Sequence, residues 1–121
     1  MTIKQDFYNV DEFWGYVEGK LHCNVPKYIK NLLRIKRLDD PMSLQDIDDS
    51  VIEQLELFVQ SGGLTPFIPD NTTDLKEFYG IFHQVPNKFK ITVGSKILLK
   101  LIVAYVTEQV KTKGPKFYKS E

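Results

Sequence analysis

The stretch Phe89-Lys-Ile-Thr-Val-Gly-Ser-Lys-Ile-Leu-Leu-Lys-Leu-Ile-Val-Ala-Tyr-Val106 decides the fold. An extended apolar entry meets a single glycine, and a helix then opens with Lys96 and turns almost wholly apolar. A helix that is apolar on every side belongs at the centre of something small. It is too short to span a bilayer, which takes ~20 apolar residues. The reading is the long closing helix of an all-α bundle, running from about Gly94 to Lys111. Phe89–Val93 alternates apolar and polar residues but has no second strand to pair with, so it reads as an extended lead-in.

Working outward, the rest of the chain also punctuates itself as helices. Asp11–Leu21 places Phe13, Trp14, Val17 and Leu21 at helical spacing with acids at its start. Pro26 suits the first position of a second helix, whose apolar side is Tyr28, Ile29, Leu32, Leu33 and Ile35. Pro41 stops it, and Ser43-Leu-Gln-Asp46 has the form of a capping box with Asp46 in the acidic place. Asp48 or Asp49 caps a third substantial helix through Gln60, which Gly62-Gly63 ends with a left-handed cap. Two prolines make Leu64–Asn71 a loop, and an inserted helix is expected at about 72–83, with Leu75, Phe78, Tyr79 and Phe82 on one face. The expected organisation is a flexible arm at 1–9, one compact domain of about five helices at 10–112, and a flexible basic tail at 113–121.

Composition bounds the function. The chain has 121 residues, 42% of them apolar and 26% charged, as in an ordinary globular domain able to bury a core without disulfides. It has one cysteine, Cys23, and no apolar leader, so an intracellular protein of nucleus or cytoplasm is expected. The sixteen basic and sixteen acidic side chains cancel but are segregated. Lys27, Lys30, Arg34, Lys36 and Arg37 form a basic block; Asp39, Asp40, Asp46, Asp48, Asp49, Glu53 and Glu56 follow with no intervening base; from Lys88 onward the chain is basic again. Such blocks either steer one molecule onto another or pair with one another inside the fold.

No catalytic constellation stands out. His22 and Cys23 are adjacent, with no further ligand at metal-binding spacing. A lone cysteine among apolar residues is a packing residue more often than a nucleophile. The acid pairs Asp39-Asp40 and Asp48-Asp49 fit helix starts better than general acid–base work. Gly62-Gly63 is not followed by the Gly-Lys-Ser/Thr of a phosphate loop. Gly94 at a helix start, with Ser95 and with Lys88, Lys90 and Lys96 nearby, is the one arrangement that suggests an anion or nucleic-acid contact.

Leu44-Gln-Asp-Ile-Asp48 with Val51-Ile-Glu-Gln-Leu55, and Val93-Gly-Ser-Lys-Ile97 with Leu99 and Val103, resemble the middle and the closing helix of a sterile alpha motif domain. Trp14 in the first helix fits the same pattern, and the tandem hairpins of the helix-hairpin-helix fold are an equal comparison. The resemblance covers roughly residues 11–60 and 89–107; residues 61–88 are extra, and Lys100 stands where that family often has an apolar residue. It implies a five-helix bundle that binds proteins, or in some members RNA, and that pairs head to tail. The matching acidic positions are Asp46, Asp48, Asp49 and Glu53; the basic ones are Lys90, Lys96 and Lys100.

The expected function is a non-enzymatic protein–protein interaction module, assembling with itself or another chain through those charges and through apolar residues including Phe67, Phe78 and Tyr79. No cofactor, metal, small-molecule substrate or membrane contact is expected. The alternative is RNA or DNA binding through a Gly94-centred hairpin with Lys88, Lys90, Ser95 and Lys96.

Overall fold

The computed structural model describes residues 2–119, and the side chains of residues 12–119. Among these residues the chain is all-helical, with no strand. The order is α1 (Thr2–Leu21), α2 (Lys27–Ile35), α3 (Pro41–Leu44), α4 (Asp49–Gln60), α5 (Lys76–Tyr79) and α6 (Val93–Lys113). Single 3-10 turns occur at Thr65–Phe67, Gly80–Phe82, Pro86–Lys88 and Phe117–Lys119. Helix α1 includes residues 2–9, where the sequence predicts an arm; the side chains of that stretch lie outside the described residues.

The helix ends set the path of the chain. Helices α1, α2 and α4 each close on a left-handed residue: His22 (φ 53°), Arg37 (φ 60°) and Gly62 (φ 88°). Behind each, an N–H reaches back over the last turn: Cys23 to the Glu18 carbonyl, Leu38 to Leu33 and Gly63 to Phe58, at 3.1, 2.8 and 2.9 Å. This is the Schellman arrangement expected at Gly62-Gly63. It recurs at two residues with a Cβ, where glycine is favoured. Of the two caps the sequence offers for α4, Asp48 takes the place by accepting the Val51 N–H, and Asp49 is the first helical residue. The capping box expected at Ser43 is replaced by an earlier cap: Asp40 accepts the N–H groups of Met42 and Ser43, with Pro41 at the first helical position.

Phe13, Trp14 and Val17 of α1, Ile29, Leu32 and Leu33 of α2, and Ile52, Leu55 and Val59 of α4 build the core with Leu99, Ile102 and Val106 of α6. Three expectations change here. The inserted helix at 72–83 is reduced to the one-turn α5 and a 3-10 turn, because the backbone breaks at Gly80 (φ 58°, ψ −137°). A Cβ at Gly80 would stand 3.2 Å from the Tyr28 ring, so glycine lets α5 close on α2. The tail expected to be free from 113 turns back at Gly114 (φ 90°) and buries Phe117 completely. The Phe117 ring meets Phe13, Tyr16 and Tyr105 edge-on at 6.3, 5.7 and 6.2 Å between centroids. Finally, α6 is not surrounded: only Leu99, Ile102 and Val106 are buried, and an apolar row faces outward.

Candidate functional site

Of the residues singled out in the sequence, α6 itself carries Gly94, Ser95, Lys96 and Lys100. The side toward α4 is built on the extended lead-in, whose backbone has no strand partner. A chain that buries such a segment must pair its N–H and C=O groups elsewhere. Helix α4 does this with two side chains one turn apart. Glu56 Oε2 accepts the Ile91 N–H at 2.9 Å, and the Gln60 amide donates to the Phe89 carbonyl at 2.8 Å. Glu56 is only 3% exposed, an unusual place for a carboxylate. Its charge is met by Lys96 Nζ at 3.4 Å and Lys90 Nζ at 3.8 Å. One helix turn on from Lys96, Lys100 Nζ lies 2.8 Å from Asp49 Oδ1. The Lys100 ammonium holds the exposed Asp49 carboxyl below the usual carboxylate range.

The acidic and basic surfaces read from the sequence are therefore largely one seam inside the molecule. Asp49, Lys90, Lys96 and Lys100 pair in cis; Asp48 is engaged as a cap; Asp46 and Glu53 remain exposed beside the seam. In the sequence Glu56 is one more member of an acidic run. The signal that finds it is its position four residues after buried Ile52 and three before buried Val59, on the inner face of α4.

The start of α6 is closed by hydroxyl groups. Tyr28 O–H donates to Ser95 Oγ at 2.9 Å, and Thr92 Oγ1 donates to the same oxygen at 3.0 Å. Gly94 is exposed, with open space where a Cβ would stand, and Lys88 is exposed on the preceding turn. Of the nucleic-acid set, Lys90 and Lys96 lean on Glu56 and Ser95 is bonded to Tyr28, leaving Gly94 and Lys88 outward.

The inserted segment separates its aromatic residues. Phe67 is 54% exposed, Phe78 is half-buried and Tyr79 is 6% exposed. Near them an open bowl of about 390 Å³ is lined by Ile68, Pro69, Leu75, Tyr79 and Pro86, with Asp70 on its wall.

The outer side of α6 presents Val93, Ile97 and Leu101 at 74, 65 and 51% exposure, followed by exposed Ala104. Spaced by four residues, the three large side chains form one ridge opposite Leu99, Ile102 and Val106. In the sequence Gly94, Ser95, Lys96 and Lys100 stand between them, which conceals that they share a face.

Burial, and then the Glu18 carboxylate, push the Cys23 thiol above its ordinary pKa, which favours the thiol over the nucleophilic thiolate. Glu18 itself accepts the Val25 N–H at 2.8 Å and meets Lys30 at 3.0 Å, fastening the α1–α2 corner. Among the described residues no group of three or more His, Cys, Asp or Glu side chains is placed to hold a metal ion, and no helix is long and apolar enough to cross a membrane. No family model, curated relative or solved structure matches this chain.

Proposed function

We propose that this chain is a non-enzymatic protein–protein interaction module of sterile alpha motif-like kind, working mainly through apolar rather than charged surface. The observation that carries this reading is the outer ridge of α6. Val93, Ile97 and Leu101 are all at least half exposed on a helix whose opposite side is anchored by core packing and by Glu56. A rigid helix that shows water a contiguous row of branched apolar side chains is suited to packing against another surface. The bowl beside Tyr79, with exposed Phe67 nearby, supplies a second apolar area on the inserted segment.

Charge takes a smaller part than the sequence suggests, because the strongest opposed pairs are already satisfied within the chain. The Asp49–Lys100 pair is exposed and weak, and Glu56 is too deeply buried to be offered to another molecule, so little is gained by exchanging them. The alternative of nucleic-acid binding draws on the same lysines and is weakened by the same pairing.

The reading is tested by affinity capture from cell extract with wild type and with the double variant Ile97→Asp/Leu101→Asp. Proteins retained by wild type and lost with the variant, at unchanged circular dichroism and melting temperature, are the expected result. Identical retention by both, or none by either, counts against the module. A gel shift with RNA or duplex DNA at low salt that Lys88→Glu abolishes favours the alternative instead.

A further inference from the structure

The proposed interaction module also carries a specific partner for its outer ridge: we infer that a second copy of this chain docks there, α6 against α6 and antiparallel. This inference rests on the module reading and goes beyond it by naming the occupant.

Gly94, Ile97, Leu101, Ala104, Glu108 and Lys111 follow one another at alternating steps of three and four residues, and all six are exposed. That is the spacing of a seam along which one helix packs on another. Its first part is apolar and its last part charged, and this polarity chooses the orientation. In a parallel pair Glu108 stacks on Glu108 of the second copy and Lys111 on Lys111, placing like charges together. In an antiparallel pair with Ile97 opposite Leu101 of the second copy, Gly94 falls opposite Ala104. The two small residues let the backbones approach while the larger side chains interleave.

The same register matches the charges. Glu108 lies about 13 Å along the helix from the midpoint of this contact, and the second copy's α6 begins about 9 Å from it. The carboxylate therefore lies just past that helix start, where the second copy's first N–H groups have no partner within the helix. A negative charge is also favoured beside a helix N-terminus. Each copy makes the exchange once, as a two-fold contact requires. Because the sixteen positive and sixteen negative side chains cancel, no net repulsion opposes the encounter. A seam from a single helix falls short of the ~800 Å² per partner of a standard interface, so the dimer is weak and concentration-dependent.

The test is sedimentation of the purified chain from about 10 μM to about 1 mM, the range in which weak association is visible. The weight-average mass is expected to rise from 14.1 kDa toward twice that value, and to stay at the monomer for Ile97→Asp/Leu101→Asp. Orientation is read in a Cys23→Ser background by mixing Ile97→Cys protein with tagged Leu101→Cys protein under mild oxidation. From an equal mixture the mixed disulfide is expected to exceed clearly the twofold excess over each homodisulfide that random pairing would give. Monomer at every concentration, a dimer that the double variant leaves intact, or a dominant 97–97 link each overturns the inference. Loss of extract partners by a variant of a chain that is always monomeric removes self-docking and leaves the module reading standing.

Discussion

Helix α6 is held on one long side and left open on the other, by opposite use of similar residues. Inward, Leu99, Ile102 and Val106 are buried in the core shared with α1, α2 and α4, while Lys96 and Lys100 reach sideways to acids of α4. Outward, Val93, Ile97 and Leu101 offer side chains of the same type to water. The contrast teaches that this molecule uses its charges to fasten the helix to its own body. Whatever adheres to the outer face must be held chiefly by apolar contact.

The contrast breaks most severely if its inward side is hollowed. Ile102→Ala, at a fully buried position, is expected to cost about 2–5 kcal/mol in urea unfolding, through lost transfer energy and the cavity left behind. Ile97→Ala, five residues earlier on the opposite side, is expected to stay within about 0.5 kcal/mol, as at other exposed sites. Equal losses at 97 and 102 would erase the distinction between the sides.

Glu56 tests the polar part of the inward side. Glu56→Ala leaves the buried Ile91 N–H unpaired, a penalty of about 1–3 kcal/mol. Lys90 and Lys96 are partly exposed and return to water, so they add little. Glu56→Gln keeps an acceptor for Ile91 and is expected to lose clearly less. If both variants melt alike, the pairing of the lead-in backbone is not what Glu56 contributes.

Asp39 sharpens the comparison as a buried acid without Glu56's partners. Its Oδ2 has no hydrogen-bond partner among the described residues, and burial raises its pKa against the pull of Arg34 and Arg37. A raised carboxyl favours the folded state fully below its unfolded pKa, and that advantage is lost as pH rises through the folded value. Asp39→Asn is therefore expected to stabilise the protein at pH 7, by less than Glu56→Ala destabilises it, with no gain near pH 3. Melting curves at the two pH values decide this.

The smallest effect belongs to the exposed Asp49–Lys100 pair. Its lowered carboxyl contributes above the unfolded pKa and loses that contribution as pH falls through the lower folded value. Lys100→Gln should return the Asp49 titration, followed by carboxyl NMR, toward the ordinary carboxylate range while leaving the melting temperature at physiological salt unchanged. A titration that does not move would show that Lys100 is not its cause.

Helix identity was legible wherever a signal is local. Asp48 as a cap, Gly62-Gly63 as a stop, and the inward stripes of α1, α2 and α4 depend on residues within a turn or two of each other, whose spacing the sequence displays directly. The left-handed ends at His22 and Arg37 were hidden because neither residue is a glycine. The inserted helix was overread because Gly80 ends it through an approach to Tyr28, a residue far away in the chain. Phe117 looked like part of a loose tail because the rings that receive it come from α1 and α6.

Of the candidate site, the sequence alone determined which charges and apolar side chains were available and that α6 carried more apolar surface than one helix stripe needs. Only the tertiary structure decided which of them are used up. Burial of the 89–91 backbone required an acceptor and a donor from α4, and this drew Glu56 inward with the lysines beside it. Packing against a bundle covers one side of a helix, so it also decided which apolar residues of α6 remain outside.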